Sequence, residues 1–448
     1  MGTIPSRKRG SAIVGVLIVG VVVLFVVTGY LRSSLNQLSL ANQSQLTLSL
    51  DSLLDAAADQ SLRMLHSGDN SDWRKEGSLM WRHFNQWRVD EDTPADVWVA
   101  LEETKEGLLM LIYAAARERS GRLLERTAEV HLRRQSPFTY GLEVHDGFTF
   151  NGANIQLDSF DSRVGPYSAS NNRNDRLIVL SPSSKSGSAA VNNARIFGML
   201  YIGAAEALVL RPQAEIKTRA TSGGGVDERA IRRDIRLDRP YPVPMPSATN
   251  RILWPGGDVI QIGDQSGFTT ENFVFEDLDI KSGQVVNVVG PVRWIVQGDL
   301  KLQGELVIEG DGELQVFLAG DLQATGGAII NSSDQPARMS LFVTATEPTR
   351  LQLAGNSTFA GSIHAPYAQL ELSGSGNNGR FKGAAVLGSI TINGRYQFHF
   401  DEALRFSQQP IHRYAVTGWR KPSRDARDLP TQLSDNLSDS ESLHASGL

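Results

Sequence analysis

A chain of 448 residues is long enough for two or three domains, and 41% hydrophobic against 21% charged residues lets most of it bury a core. A formal net charge of −5 argues against a nucleic-acid partner, which requires a basic footprint; the absence of cysteine excludes disulfides, thiolate metal sites and cysteine nucleophiles. The 42 glycines against 7% aromatics point to many turns and short strands.

Residues 1–10 form a basic leader, in which Arg7, Lys8 and Arg9 stand directly before the charge-free run Ser11–Tyr30. A run of about 20 apolar residues rising 1.5 Å each matches a hydrocarbon core of ~30 Å. Three cations before the run, against Arg32 alone just after it, place the N-terminus in the cytoplasm and the following residues across the membrane. A cleaved secretory signal fits poorly, because no A-x-A site follows and Thr28-Gly29-Tyr30 is a weak substitute. A plain signal anchor fits, and so does a prepilin-type leader, with Gly10 before Ser11.

From Leu31 to Leu65 there is neither Gly nor Pro, and Leu31, Leu35, Leu38, Leu46, Leu50, Leu53, Leu54, Ala57 and Leu65 recur at helical intervals. The expectation is one helix over 11–67, about 80 Å long, stopped by Gly68 and the polar residues after it. Its outer half also reads as a membrane-proximal stalk or a coiled-coil seam.

Basic leader, Gly, apolar run and long helix together resemble type IV pilin-like proteins, in particular the PilX N-terminal family. The resemblance implies that a prepilin peptidase cuts after Gly10 and that Ser11 is then methylated. It also implies that the retained helix anchors in the bilayer or packs against other pilin-like subunits or an assembly platform. Two positions depart from the major-pilin pattern. Ser11 stands where Phe or Met is usual, and Gly15 occupies the fifth mature position, where major pilins carry Glu.

Residues 68–140 read as a small pilin-like α/β meander. Trp73, Trp81, Phe84 and Trp87 among charges suggest a short helix or irregular cap over 71–95. Three runs follow, at 96–103, 108–115 and 122–134, with alternation in the last at Leu124, Arg126, Ala128, Val130 and Leu132. A three-stranded antiparallel meander is the simplest reading; a helix over 108–119 competes, since LLMLIYAAARER is rich in helix formers.

Across 141–406 short β-branched runs alternate with Gly, Asn, Asp and Ser. Residues 296–304 align with 318–326 at an offset of 22, and 351–356 with 370–375 at an offset of 19. Thr391-Ile392-Asn393-Gly394 follows about 20 residues later. Such periods signal a solenoid with one coil per repeat. The fold class expected is therefore α+β, mainly β: a long N-terminal transmembrane helix, a small antiparallel sheet, then a right-handed β-helix-like solenoid. Residues 218–250, with Pro240, Pro242, Pro244 and Pro246 at alternate positions, read as an irregular extended crossover, and 407–448 as a largely disordered extension. Asp158–Tyr167 resembles the DSYDS-x-x-GPY segment of PilX-associated β-rich domains. Ala360–Pro366 and His399–Leu404 resemble the G-x-(I/V)-x-A-P and HYDEAL-like closing segments of that module.

A β-helix raises the question of polysaccharide chemistry, which needs two carboxylates across a cleft. Asp299 and Asp321 fall at equivalent places on adjacent coils, in Gly-Asp corners where Asp bonds backbone N–H groups. Asp158 with Asp161 reads as turn capping rather than as a cation site, and His399, Asp401 and Glu402 as a local hydrogen-bond network. No nucleophile elbow, zincin, P-loop or dinucleotide motif is present, and Ser222–Ala230 (SGGGVDERA) lacks a phosphate-loop Lys. The expectation is no catalytic residue, no metal and no cofactor. The protein is then a bacterial inner-membrane pilin-like protein, its module periplasmic or extracellular, in or beside a type IV pilus or pseudopilus, and presented to a surface ligand. A plain signal-anchored adhesion protein and a carbohydrate-active β-helix enzyme are the alternatives.

Overall fold

The computed structural model describes residues 10–67, 72–77, 79–105, 107–118, 121–152, 155–218, 224–247, 251–264, 266, 269–374, 379–407 and 413–421. These divide into two compact units, residues up to 64 with 70–133 and 415 onward in one, and 65–69 with 134–414 in the other.

The first unit carries most of the helix Gly10–Ser67 and a six-stranded sheet. In sheet order the strands are Arg74–Glu76, Leu79–Phe84, Ala95–Thr104, Gly107–Arg117, Leu123–Gln135 and Arg413–Arg420, and the first five pair antiparallel. The three-run meander is present, and the segment 107–117 is a strand because it has strand partners on both sides, which overrides its helix propensity. Two expectations are corrected. Residues 74–76 and 79–84 are strands rather than a short helix or cap, because Leu79–Phe84 pairs along its length with 97–102, burying Leu79 and Trp81 on one face while Met80 and Arg82 alternate with them. No helix occurs among the described residues of 72–140. Within the extension expected to be disordered, 413–420 is a strand; 422–448 lie outside the described residues.

The second unit is a stack of parallel strands. Ile260, Val286, Leu306, Ile330, Phe359, Phe381, Phe398, Leu157, Ile196 and Ile216 are successive register partners in one ladder, and all are buried. A second column runs from Phe273 through Trp294, Val316, Leu341, Ile363, Ala385, Leu142, Val179 and Leu200 to Ile231. A third runs from Leu278 through Leu300, Leu322, Leu351, Leu370, Ile390, Phe148 and Ala189 to Leu208. Strand alternation turns every second side chain inward, so stacking makes continuous apolar columns. Phe359, Phe381 and Phe398 stack ring on ring at 4.9 and 4.8 Å. Each such burial contributes roughly 1.5–3 kcal/mol.

The offsets read from sequence are register pairs: Val296 with Leu318, Leu300 with Leu322, Leu351 with Leu370, and Leu372 with Ile392. The order of the levels is not the order of the chain. Residues 259–394 stack consecutively. The next level is composite, 397–401 beside 141–151; then come 155–191, 194–210 and 215–232.

The irregular segment links the two ends of this stack. Ile235 N–H donates to Ile202 O, Arg239 pairs with Asp146 and lies 4.9 Å over the Tyr367 ring, and Arg251 bridges to Asn272. Eight spacings of ~4.8 Å separate the levels of Ile202 and Asn272, about 38 Å. The 16 residues from 235 to 251 span about 50 Å in an extended polyproline conformation, enough to run back along the stack.

Candidate functional site

The N-terminal helix changes character along its length. Large apolar residues from Leu17 to Tyr30 are exposed all round, Phe25 to 75% and Leu24 to 67%. Further on, Leu46, Leu50, Leu54, Ala57 and Ala58 form one buried stripe. Arg126 and Lys421 reach Asp51 and Asp55 on the same part of the helix, at 4.0 and 3.3 Å. The apolar end has a mean hydropathy of 1.9 and is long enough to cross a membrane. It fits a single-pass anchor. Gly10 and Ser11 are the first helical residues; Arg7, Lys8 and Arg9 lie outside the described residues.

The carboxylates singled out in the sequence are each engaged. Asp299 N–H donates to Asp277 Oδ1 at 2.7 Å, Asp321 N–H to Asp299 Oδ1 at 2.9 Å, and Arg350 N–H to Asp321 Oδ1 at 2.8 Å. These aspartates form a ladder up the stack, each bonding the backbone of the next level rather than its own turn. The glycines before Asp299 and Asp321 are required by that approach: a Cβ on Gly298 or Gly320 would stand 2.2 or 2.5 Å from the carboxylate below.

Asp158 and Asp161 do not meet at one ligand. Asp161 binds the backbone N–H and the guanidinium of Arg163. Asp158 is wholly buried, with its Oδ1 2.5 Å from His399 Nδ1, and accepts from Gln156 and Tyr167 on Oδ2. Tyr167 stacks on His399 at 3.7 Å. Burial lowers the His399 pKa, only partly opposed by Asp158, and burial next to that carboxylate pushes the Tyr167 hydroxyl up. Asp401 accepts from the Ser162 and Ala403 N–H groups and is raised by burial. Glu402 accepts from Ser159, Asn174 and Arg176. His399, Asp401 and Glu402 therefore knit the composite level to 155–176, and no cluster of three metal-ligating side chains occurs among the described residues.

Two buried features carry no sequence signal. Glu143, 1% exposed, holds Arg413 in a two-point pair and lies 2.7 Å from His145; the partners are 270 residues apart. His364 is buried with both ring nitrogens unpartnered, and burial, with the Arg413 charge behind it, pushes its pKa down to about 3.

A family model described as a domain of unknown function (DUF7305) matches residues 257–406. That segment opens at the terminal level and closes just past Glu402, so it is the part of the stack in which chain order and level order agree. No curated protein matches the sequence. Among solved structures, the competence-associated pilin ComZ from Thermus thermophilus is similar at 10% identity, over 85% of this chain and 97% of that one, with a TM-score of 0.20.

Proposed function

We propose that this is a membrane-anchored, pilin-like cell-envelope protein that presents a β-helical module, acting by anchorage and binding rather than catalysis. The observation that carries the reading is the helix Gly10–Ser67, apolar on all sides from Leu17 to Tyr30 and one-sided from Leu46 to Ala58. A surface that apolar is stable in a bilayer or among packed helices, not in water.

The finer parts rest on the sequence. Gly10 before Ser11, behind Arg7-Lys8-Arg9, supplies a prepilin peptidase site and a cytoplasmic N-terminus, and so a bacterial inner-membrane position with the module periplasmic or extracellular. The PilX-like segments favour a role in type IV pilus or pseudopilus assembly, with pilin-like subunits or the assembly platform as partners. The module coils right-handed on this reading, since parallel crossovers almost always do. The non-enzymatic reading is supported by Asp299, Asp321, Asp158, Asp401 and Glu402, each engaged with backbone or buried side-chain partners.

Intact-mass and N-terminal peptide analysis of protein from native membranes tests this. A chain starting at an N-methylated Ser11 is the expected result. A chain retaining residues 1–10 in cells with an active prepilin peptidase would leave a plain signal-anchored surface protein instead.

A further inference from the structure

The two ends of the stack differ in charge. The end formed by 251–280 contains Asp258, Asp264, Glu271, Glu276, Asp277 and Asp279 against Arg251 alone. Leu253 is 92% exposed there and Val259 70%. Trp254 plugs the column, edge-on to Phe273, Phe275 and Trp294. Among the described residues, Val259–Ile262 pairs with Val285–Val288 alone, so its other edge of N–H and C=O groups faces out of the stack.

At the far end, residues 209–236 carry seven Lys or Arg against four Asp or Glu. Arg211, Arg229, Arg232, Arg233 and Arg236 are exposed. Among the described residues Leu208–Leu210 pairs with Ala189–Val191 alone, and Val209 is 38% exposed. The chain enters at Gly141 and leaves at Asp401, both on the composite interior level.

We propose that these ends bind each other between copies: the acidic, apolar end of one solenoid seats on the basic end of the next. The apolar Leu253 and Val259 leave water, and opposite charges set the direction. The contact is heterologous, so it leads to open arrays or rings rather than to a closed pair. Residues 422–448 are a poor occupant for the acidic end, being themselves acidic, with five Asp or Glu against two Arg. The proposal does not depend on prepilin processing.

The test is sedimentation velocity of the full-length protein in detergent, over a concentration series at low and high salt. Wild type is expected to associate with concentration, and less at high salt. Leu253→Arg at one end, or Arg211→Glu with Arg236→Glu at the other, is expected to weaken association at least ~10-fold, a loss of about 1.4 kcal/mol. Mixing the two variants leaves one intact contact and is expected to give heterodimers that grow no further. Unchanged thermal melts confirm folding, since all three positions are exposed. A wild type monomeric throughout, a Leu253→Arg chain that associates as before, or a mixture without heterodimers would each overturn the proposal.

Discussion

Replacing Arg413 by Ala tests the electrostatics of the module. Arg413 Nη1 donates to Glu143 Oε2 at 2.7 Å and Nη2 to Oε1, while His145 lies 2.7 Å from the same carboxylate. Burial pushes the Glu143 carboxyl up, but the guanidinium and these hydrogen bonds together pull it down further, to about 2 from an ordinary 4.5. A depressed carboxylate stabilises the fold above the unfolded pKa of 4.5, and that stability is lost as pH falls toward 2; at 1.36 kcal/mol per pH unit its ceiling is roughly 3 kcal/mol. Without Arg413, burial, the largest single influence on the carboxyl, is opposed by His145 alone, and the carboxyl rises above 4.5. The expected cost at pH 7 is ~3–5 kcal/mol, the penalty of a buried unpaired charge. The sign of the pH dependence then reverses, because the folded variant takes up the proton first and its deficit shrinks on acidification. Urea unfolding followed by hydrogen exchange in Gly141–Asn151, near neutral and at about pH 4, reads both effects. A loss under about 1 kcal/mol with the wild-type pH slope would refute the reasoning.

His364→Leu removes a histidine that the fold holds neutral. Its pKa of about 3 against 6.5 means stability present above pH 6.5 and lost as pH falls toward 3. The variant should therefore gain on the order of 3 kcal/mol over wild type between pH 8 and pH 4 in urea midpoints, and an unchanged acid slope would sink the idea. Gly383 has φ +145°, and a Cβ there would lie 1.7 Å from the backbone oxygen of Gly361 on the adjacent level. Gly383→Ala should cost more than ~3 kcal/mol, whereas Gly224→Ala, with nothing within 4 Å, should stay within about 0.5 kcal/mol. Equal melting temperatures for the two would reject this account.

The repeats legible in the sequence are those with uniform corners. Gly298-Asp299 and Gly320-Asp321 stand 22 residues apart because glycine leaves room for the aspartate below, so a physical constraint imprints a visible period. The levels from 141 to 232 show no such period, because excursions such as Asp161–Arg176 interrupt them, and their position beside 380–401 is a long-range fact without local signal. The helix was legible as an uncharged run; the strands 74–84 were not, since aromatic and charged residues at short spacing suit several conformations. Among site residues, the roles of Asp299 and Asp321 were legible in kind, but their partners lie a level away rather than in the turn. Glu143 and Arg413 pair across 270 residues and leave no trace in either neighbourhood.

The seam between the two parts of the stack shows what its buried polar groups accomplish. Where Gln397–Asp401 meets Ile155–Phe160, the apolar register pair is Phe398 with Leu157, followed by His399 on Asp158, Phe400 on Ser159 and Asp401 on Phe160. Beside the seam the apolar columns are mostly Ile, Leu, Val and Phe, so a slip of one level would exchange apolar partners at little cost. The same slip would strand Asp158, His399 and Glu402, at ~1–3 kcal/mol for each buried group left unpaired. The network therefore specifies the register more than it stabilises the fold, which is the best-attested use of buried polar pairs. Asp158→Leu with His399→Leu separates the two roles. Global stability should stay within about 2 kcal/mol, since a packed apolar pair often replaces a buried ionic one without loss. Hydrogen exchange of 155–160 should nevertheless split into two populations, one protected as in wild type and one exchanging faster. A single population with wild-type protection would mean that the columns alone align the seam.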